Sequence, residues 1–586
     1  MRSGWFGGAN APRKRSRNST SFWLWDRPAG AYMLKLASLG GLLLLAAAAW
    51  LGAQALAPSK PAVELMPAGA LFYLEARNFG QLVADWDASP EKKAWLASAN
   101  YQSFQRSHLL TRLAEARKGF TDAAGLPEDA ALLPGVAGGE SAVAFYDIGK
   151  LEFLYVTRIG SARFGESALG KVKQKFQARK AAGHDYFVLS KGDNTIAFAL
   201  VDDRLLLATR EDLVAGALQL LAGQNVAALR QESWFIEALA KAAGGSTPPD
   251  VRFVADLQKT SRTPQFRSYW IQHNVSEVRQ FASEVADLRF GAADVREDRV
   301  FIRRDAQDSL ASAEPAVADV LRYASADAGF YQAIAKPTAD DVAEMLAQKV
   351  FGHGRALERQ DQRRTAPDAP GAAVVAGEDD YETRVDAAQV SEDAVNAYAP
   401  LRALAANADA ALQMGASNPA GALPSLEAVV VLHGISAWKA ADVKRVLGEV
   451  AGAVWSGSGE WTDASGYSEL GSITPLRFAI DGNILLLSAS PEWMSRVLSV
   501  RRAGASGGAT YVASVRFAQE LPGFARMTKL IDFPSIPQGG TAAREPLFFS
   551  ENLASLARAM SRLDSATVTA HDTGAMVTES IVYRKK

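Results

Sequence analysis

No cysteine occurs among the 586 residues, and that absence removes disulfides, thiolate zinc sites, iron–sulfur clusters and a cysteine nucleophile together. It suits an oxidising compartment without identifying one. Net charge is also nearly absent, at −1. Phosphate binding needs a basic face that releases counterions, so there is no whole-chain case for nucleic acid. Histidine is sparse. The six, His108, His184, His273, His353, His433 and His571, include no pair three or four residues apart, so no helical zinc face forms and HExxH is missing. They read as surface or ordinary packing residues. Because 48% of residues are hydrophobic, the chain has the apolar material to offset ordering entropy, and its length invites more than one core.

Long apolar runs are scarce except for one. Leu36 to Ala53, "LASLGGLLLLAAAAWLGA", carries no charge, and the run extends from Tyr32 to Ala57. At 1.5 Å rise per residue, roughly 20 such residues span a hydrocarbon core. Arg13, Lys14, Arg15, Arg17, Arg27 and Lys35 lie upstream against the single acid Asp26. The expectation is a basic cytoplasmic tail over 1–31, a transmembrane helix over 32–57, and a stiff tether over 58–67, with the bulk of the chain periplasmic. The competing reading is a cleaved signal peptide ending at the "ALA" of Ala55–Ala57. "RKRSR" at Arg13–Arg17 then serves topology and anionic lipid instead of nucleic acid.

"IAFALVDDRLLLATREDLVAGAL" from Ile196 is echoed by "LRFAIDGNILLLSASPEWMSRVL" from Leu476, with six identities in 23 positions. Each reads as a hairpin whose turn residues, Asp202-Asp203 or Asp481-Gly482-Asn483, tolerate positive φ, followed by a helix with acids in its first turn. Order strengthens the match. "ALFYLEARNFGQLVADW" from Ala70 precedes it as "AGFYQAIAKPTADDVAEML" from Ala328 precedes its echo; "FVADL" and "VFIRR" follow as "YVASV" and "IVYRK" do. Two units, 62–308 and 314–586, are expected from an internal duplication, the second carrying a polar insertion over about 354–425. Within each the coarse order is strand, helices, two strands, helix, strand, hairpin, helix, strand, helices, hairpin. The expected class is α+β: two tandem homologous domains after a single N-terminal transmembrane helix, each with a largely antiparallel sheet and helices packed on one face.

The chemical motifs weaken on inspection. "GESALGKV" at Gly165–Val172 lacks the hydroxyl residue of a phosphate loop, Val172 standing in its place, and its spacing reads as a helix already under way. "GASGG" around Ser506 has the nucleophile-elbow pattern in a helix-to-strand context, the reverse of what the elbow needs. "EDD" at Glu378–Asp380 and "VDD" at Val201–Asp203 lack the alternating ligands of a calcium loop. "FRSYWIQH" at Phe266–His273 could stack a base or sugar, though aromatic packing is the commoner use. No catalytic, metal or cofactor-binding residue is assigned, and no cofactor is expected.

Through "ELMPAGALFYLEARNFGQLVADW" and "FTDAAGLPEDAALLPGVAGGESAVAFYD", the chain resembles uncharacterised bacterial single-pass envelope proteins of a domain-of-unknown-function family. The resemblance covers mainly the first unit and implies an extracytoplasmic location without an assigned activity. The functional expectation is a non-catalytic binding or scaffolding protein of an envelope complex, its partners inner-membrane lipid and other envelope proteins. The alternatives are an exported hydrolase whose site assembles only in three dimensions, and a carrier of lipid or another apolar ligand between sheet and helices. The first would show convergent acids or a Ser/His pair, the second a continuous apolar cavity.

Overall fold

The structure is a computed structural model. It describes residues 60–586 apart from 106–107, 127–134, 193, 243–246, 265, 267–277, 353–397, 419–424, 456–458, 465, 472–474, 500–507, 533–554 and 556–559. The expected tail and transmembrane helix, the core of the polar insertion, Glu378–Asp380, Ser506 and most of Phe266–His273 lie outside the described residues. Among the described residues, no helix is long and apolar enough to cross a membrane.

Residues 61–586 form one unit with twenty strands among the described residues. Ten come first: β1 (Phe72–Ala76), β2 (Ser141–Asp147), β3 (Glu152–Arg158), β4 (Gln177–Ala181), β5 (His184–Lys191), β6 (Asn194–Val201), β7 (Arg204–Ala208), β8 (Val251–Asp256), β9 (Phe281–Phe290) and β10 (Asp294–Arg303). Ten follow: β11 (Phe330–Ala335), β12 (Ala408–Asn418), β13 (Ser425–Gly434), β14 (Trp461–Ala464), β15 (Tyr467–Leu470), β16 (Leu476–Asp481), β17 (Ile484–Ser488), β18 (Tyr511–Arg516), β19 (Leu563–Asp572) and β20 (Met576–Lys585). Their spatial order begins β4-β5-β6-β7-β3-β2-β1-β8-β9-β10. It continues β20-β19-β18-β11-β12-β13-β17-β16-β15-β14. Read outward from the centre, the two halves have the same strand order, and every pairing is antiparallel.

The join is β10 against β20, in register from Asp294 opposite Arg584 to Ile302 opposite Met576. This overturns the expected fold class. Two tandem domains would each close their own sheet, whereas the last strand of each half here supplies the other's missing neighbour, so there is one sheet of twenty strands. An unpaired β10 or β20 would leave a row of backbone N–H and C=O groups open, and mutual pairing satisfies both rows at once.

Helices also pack on both faces of each half's outer strands, not on one. On one side of β6–β7, Phe198, Leu205 and Leu207 meet Phe164, Leu169 and Phe176; on the other, Ala199 and Leu206 meet Leu213, Ala217 and Phe235 of the helices Glu211–Leu221 and Ser233–Lys241. In the second half Phe478, Leu485 and Leu487 meet Val443 and Leu447 of the helix Ala440–Trp455, while Ala479 and Leu486 meet Val317 of the helix Glu314–Leu321 and Trp493 of Pro491–Ser499. Burial on both faces is why the "LLL" runs show no polar alternation. The repeated hairpins share a turn as well: Asp202 has φ 55° and Gly482, at the matching position, φ 63°. Glycine adopts this conformation without a Cβ clash, and aspartate tolerates it better than most residues.

Candidate functional site

A polar cleft lies at one corner of the second half. His433, the next-to-last residue of β13, stands opposite Ile484 at the start of β17. A bulge in β12 between Ala408 and Ala410 re-aims Asp409, as bulges commonly do, and its Oδ1 lies 2.6 Å from His433 Nδ1. From the helix Glu314–Leu321, Asp319 presents Oδ2 3.8 Å from His433 Nε2. Arg322 approaches Asp319 at 3.6 Å. Tyr323 donates its hydroxyl to Asp481 Oδ2 at 2.6 Å, and Asp481 ends the first strand of the repeated hairpin. The far wall is held by backbone: Gly434 N–H and the Trp438 indole both donate to the Asn483 carbonyl, at 2.7 and 2.8 Å. Asp319, Arg322, Tyr323, His433, Asp481, Asn483 and Ile484 line an open cleft of about 340 Å³.

The acid at Nδ1 has a chemical consequence. In neutral His433 it selects the tautomer with hydrogen at Nδ1, leaving the Nε2 lone pair toward Asp319 and the cleft. At 3.8 Å that contact is longer than a hydrogen bond, so Nε2 can accept a donor from a molecule entering the cleft. A protonated ring would instead pair with both carboxylates. Among the described residues the lining has no serine, threonine or cysteine, and what it supplies is an acid–base dyad. Polar groups of both donor and acceptor character line it, a composition that fits a polar ligand better than an apolar one.

The corresponding corner of the first half differs. Arg158, at the end of β3, stands opposite Arg204 of β7 and pairs with Glu140 at 3.1 Å. Burial, and after it the neighbouring Arg158, holds Arg204 below the ordinary arginine range. The histidine–aspartate pair therefore belongs to one half only.

The turn Asp481-Gly482-Asn483 of the echoed hairpin supplies Asp481 and Asn483 to this cleft, whereas Gly165–Val172 and Val201–Asp203 do not line it. Gly165–Val172 spans the helices Ser161–Glu166 and Ala168–Lys171 with Ser167 capping the second. Its amides are engaged within the segment: Gly170 N–H donates to Ser167 Oγ, Lys171 N–H to the Ser167 carbonyl, and Val172 N–H to the Leu169 carbonyl. No amide cradle for phosphate remains there. Asp202 and Asp203 are the hairpin turn. His571 lies 3.2 Å from Glu314, away from His433. Among the described residues no group of three or more histidines and acids could hold a metal ion. The sequence reads His433 as a surface or ordinary packing residue, because Asp409 and Asp319 reach it from another strand and from a helix more than a hundred residues upstream. The available signal was its place near the end of β13, the strand that pairs with the second strand of the echoed hairpin.

No protein-family model and no curated protein matches the chain. Solved structures of TP0453 show local likeness. Crystal form I is 12% identical over 45% of this chain and 86% of that one, with a TM-score of 0.23. Form IV is 11% identical over 42% and 81%, with a TM-score of 0.24. Form III is 10% identical over 44% and 86%, with a TM-score of 0.23. Similarity at that level carries no argument about fold or function.

Proposed function

We propose that the protein is a non-catalytic binding or scaffolding component of a bacterial envelope complex, with its body on the periplasmic side of the inner membrane. The observation that carries the reading is the β10–β20 join, which turns two halves of like strand order into one extended body. Its outermost strands, β4 and β14, each have a strand neighbour on one side only among the described residues. A doubled ten-strand unit, arising by internal duplication, accounts for the repeated order. The periplasmic placement rests on the basic residues that precede the uncharged run Leu36–Ala53.

The test is photo-crosslinking in intact cells from a probe at Arg322 on the cleft rim and from probes on β4 and β14, with identification of the adducts. A discrete envelope protein captured reproducibly at native abundance supports the reading, and no adduct from any position contradicts it.

The Asp409–His433 pair favours a second reading, an exported hydrolase that activates water through Nε2. Turnover of ester or amide substrates by the purified chain, abolished in His433→Ala and retained in Arg158→Ala, would replace the non-catalytic reading.

A further inference from the structure

The join between the halves carries an unusual charge arrangement on one face. Register places Glu284 of β9 opposite Phe301 of β10, and Arg299, two residues along β10, opposite Glu579 of β20. Glu297 lies on the same face of β10. Arg299 donates from Nε to Glu297 at 2.7 Å and reaches Glu579 at 3.9 Å. Three glutamates thus surround one arginine across β9, β10 and β20, and two of these three strands belong to the first half and one to the second. The opposite face of the same strands is buried and internally neutralised: Arg252 pairs with Asp287, and Arg289 bridges Asp287 to Asp298.

We propose that the Glu284–Glu297–Arg299–Glu579 cluster makes the β10–β20 join a pH-sensitive joint, closed when one glutamate holds a proton and loosened when all three are ionised. With every carboxylate charged, one guanidinium faces three anions in a half-buried setting, and the surplus repulsion acts directly across the strands that connect the halves. One added proton reduces that surplus.

Among the described residues, neighbouring groups do not compensate. Tyr583 of β20 and Tyr511 of β18 lie on the same face, and burial pushes both phenols up, so they stay neutral. Arg303 is engaged by Asp572. Lys259, on the short helix Leu257–Thr260 packed on β9, is held by Asp256 and Glu232 at 3.2 and 3.6 Å. Glu237 and Lys241 belong to the helix Ser233–Lys241, which packs on the buried face. Glu520, Arg526 and Lys529 sit on the helix Phe517–Asp532 against β12 and β19, and Glu520 is bound by Ser417.

The titration of the cluster agrees with its geometry. Burial pushes Glu284 up to about 7 against the attraction of Arg299, with repulsion from Glu297 and Glu579 adding to the rise. Burial raises Glu579 as well, again opposed by Arg299.

Backbone hydrogen exchange on the full-length chain at pH 5.5 and 8.5, corrected for intrinsic exchange, tests the proposal. Peptides covering β10 and β20 should lose protection by about tenfold or more at the higher pH relative to β6–β7 of the same molecule, since a shift of this size leaves room for more than a tenfold change. Glu284→Gln, which mimics the protonated acid, should keep high protection at both pH values. If that variant does not fold, Glu579→Gln serves in its place, because a cluster with only two carboxylates never reaches the three-anion state and should keep high protection at both pH values. Equal protection of β10 and β20 at both pH values in the unaltered chain would overturn the proposal, as would an undiminished loss in Glu284→Gln or in Glu579→Gln.

Discussion

Arg303 on β10 donates from both terminal nitrogens to the two carboxylate oxygens of Asp572 on β19, at 2.9 and 2.7 Å. The strands are not hydrogen-bonded neighbours, since β20 runs between them, so the ion pair reaches over a strand to tie the first half to the second. Both side chains are largely buried, at 7% and 13% exposure. Truncating one partner leaves the other charge desolvated without its counter-ion. Arg303→Ala should therefore destabilise the chain by about 3–5 kcal/mol in denaturant unfolding. Arg304→Ala, which removes an exposed pair with Asp305, should cost about 1 kcal/mol or less. Equal effects would deny the clamp its role.

Overall stability should fall as pH rises through the weakly acidic range. Glu284 is raised to about 7 in the folded chain and titrates near 4.3 when unfolded, so between these values the folded state holds a proton that the unfolded state has released. The contribution is highest below about 4.3 and is lost by about pH 7, with a ceiling of about 3–4 kcal/mol. Denaturant midpoints measured from pH 5 to 8 should decline in the unaltered chain and flatten in Glu284→Gln.

The glycines of the phosphate-loop look-alike should behave oppositely. A Cβ at Gly170 would overlap the Phe164 carbonyl, whereas one at Gly165 meets nothing within 4 Å. Gly165→Ala, in a helix, should stabilise by about 0.5–1 kcal/mol, and Gly170→Ala should destabilise by about 1–3 kcal/mol. A nucleotide-binding loop would instead show loss of nucleotide affinity on both changes with little effect on melting.

Much of the architecture is written locally and much is not. The hairpins β6–β7 and β16–β17 were legible because turn residues and apolar strands are neighbours in sequence, and the order of elements within each half followed from the same patterns, short of one strand: β4 and β5 are two where one was expected. The pairing of β10 with β20 was not legible. Edge complementarity between strands nearly 300 residues apart depends on which partner the folded halves leave open, and "VFIRR" and "IVYRK" each read as an ordinary strand. Asp409 reaches His433 only because β12 bulges, a departure from regular pairing that the stretch Ala408–Asn418 does not advertise.

Phe198 tests the first half's core. It is fully buried, with the rings of Phe164, Phe176 and Phe187 at 5.5, 5.0 and 5.3 Å. Phe198→Ala should cost about 3–5 kcal/mol through lost transfer energy and a residual cavity. Because both halves share one sheet, unfolding of this variant should remain a single transition by fluorescence and circular dichroism. Two separated transitions would indicate halves that unfold independently.

The join between β10 and β20 can be measured directly, because the absence of native cysteine lets any introduced pair report alone. Arg296 stands directly opposite Val582, and opposed residues on antiparallel strands lie within disulfide reach. The double variant Arg296→Cys/Val582→Cys should oxidise to an intramolecular disulfide that speeds migration on a non-reducing gel, while Arg296→Cys/Thr578→Cys, four residues out of register, should not. Failure of the in-register pair to close within one chain, or equal closure of both pairs, would contradict a single twenty-stranded sheet.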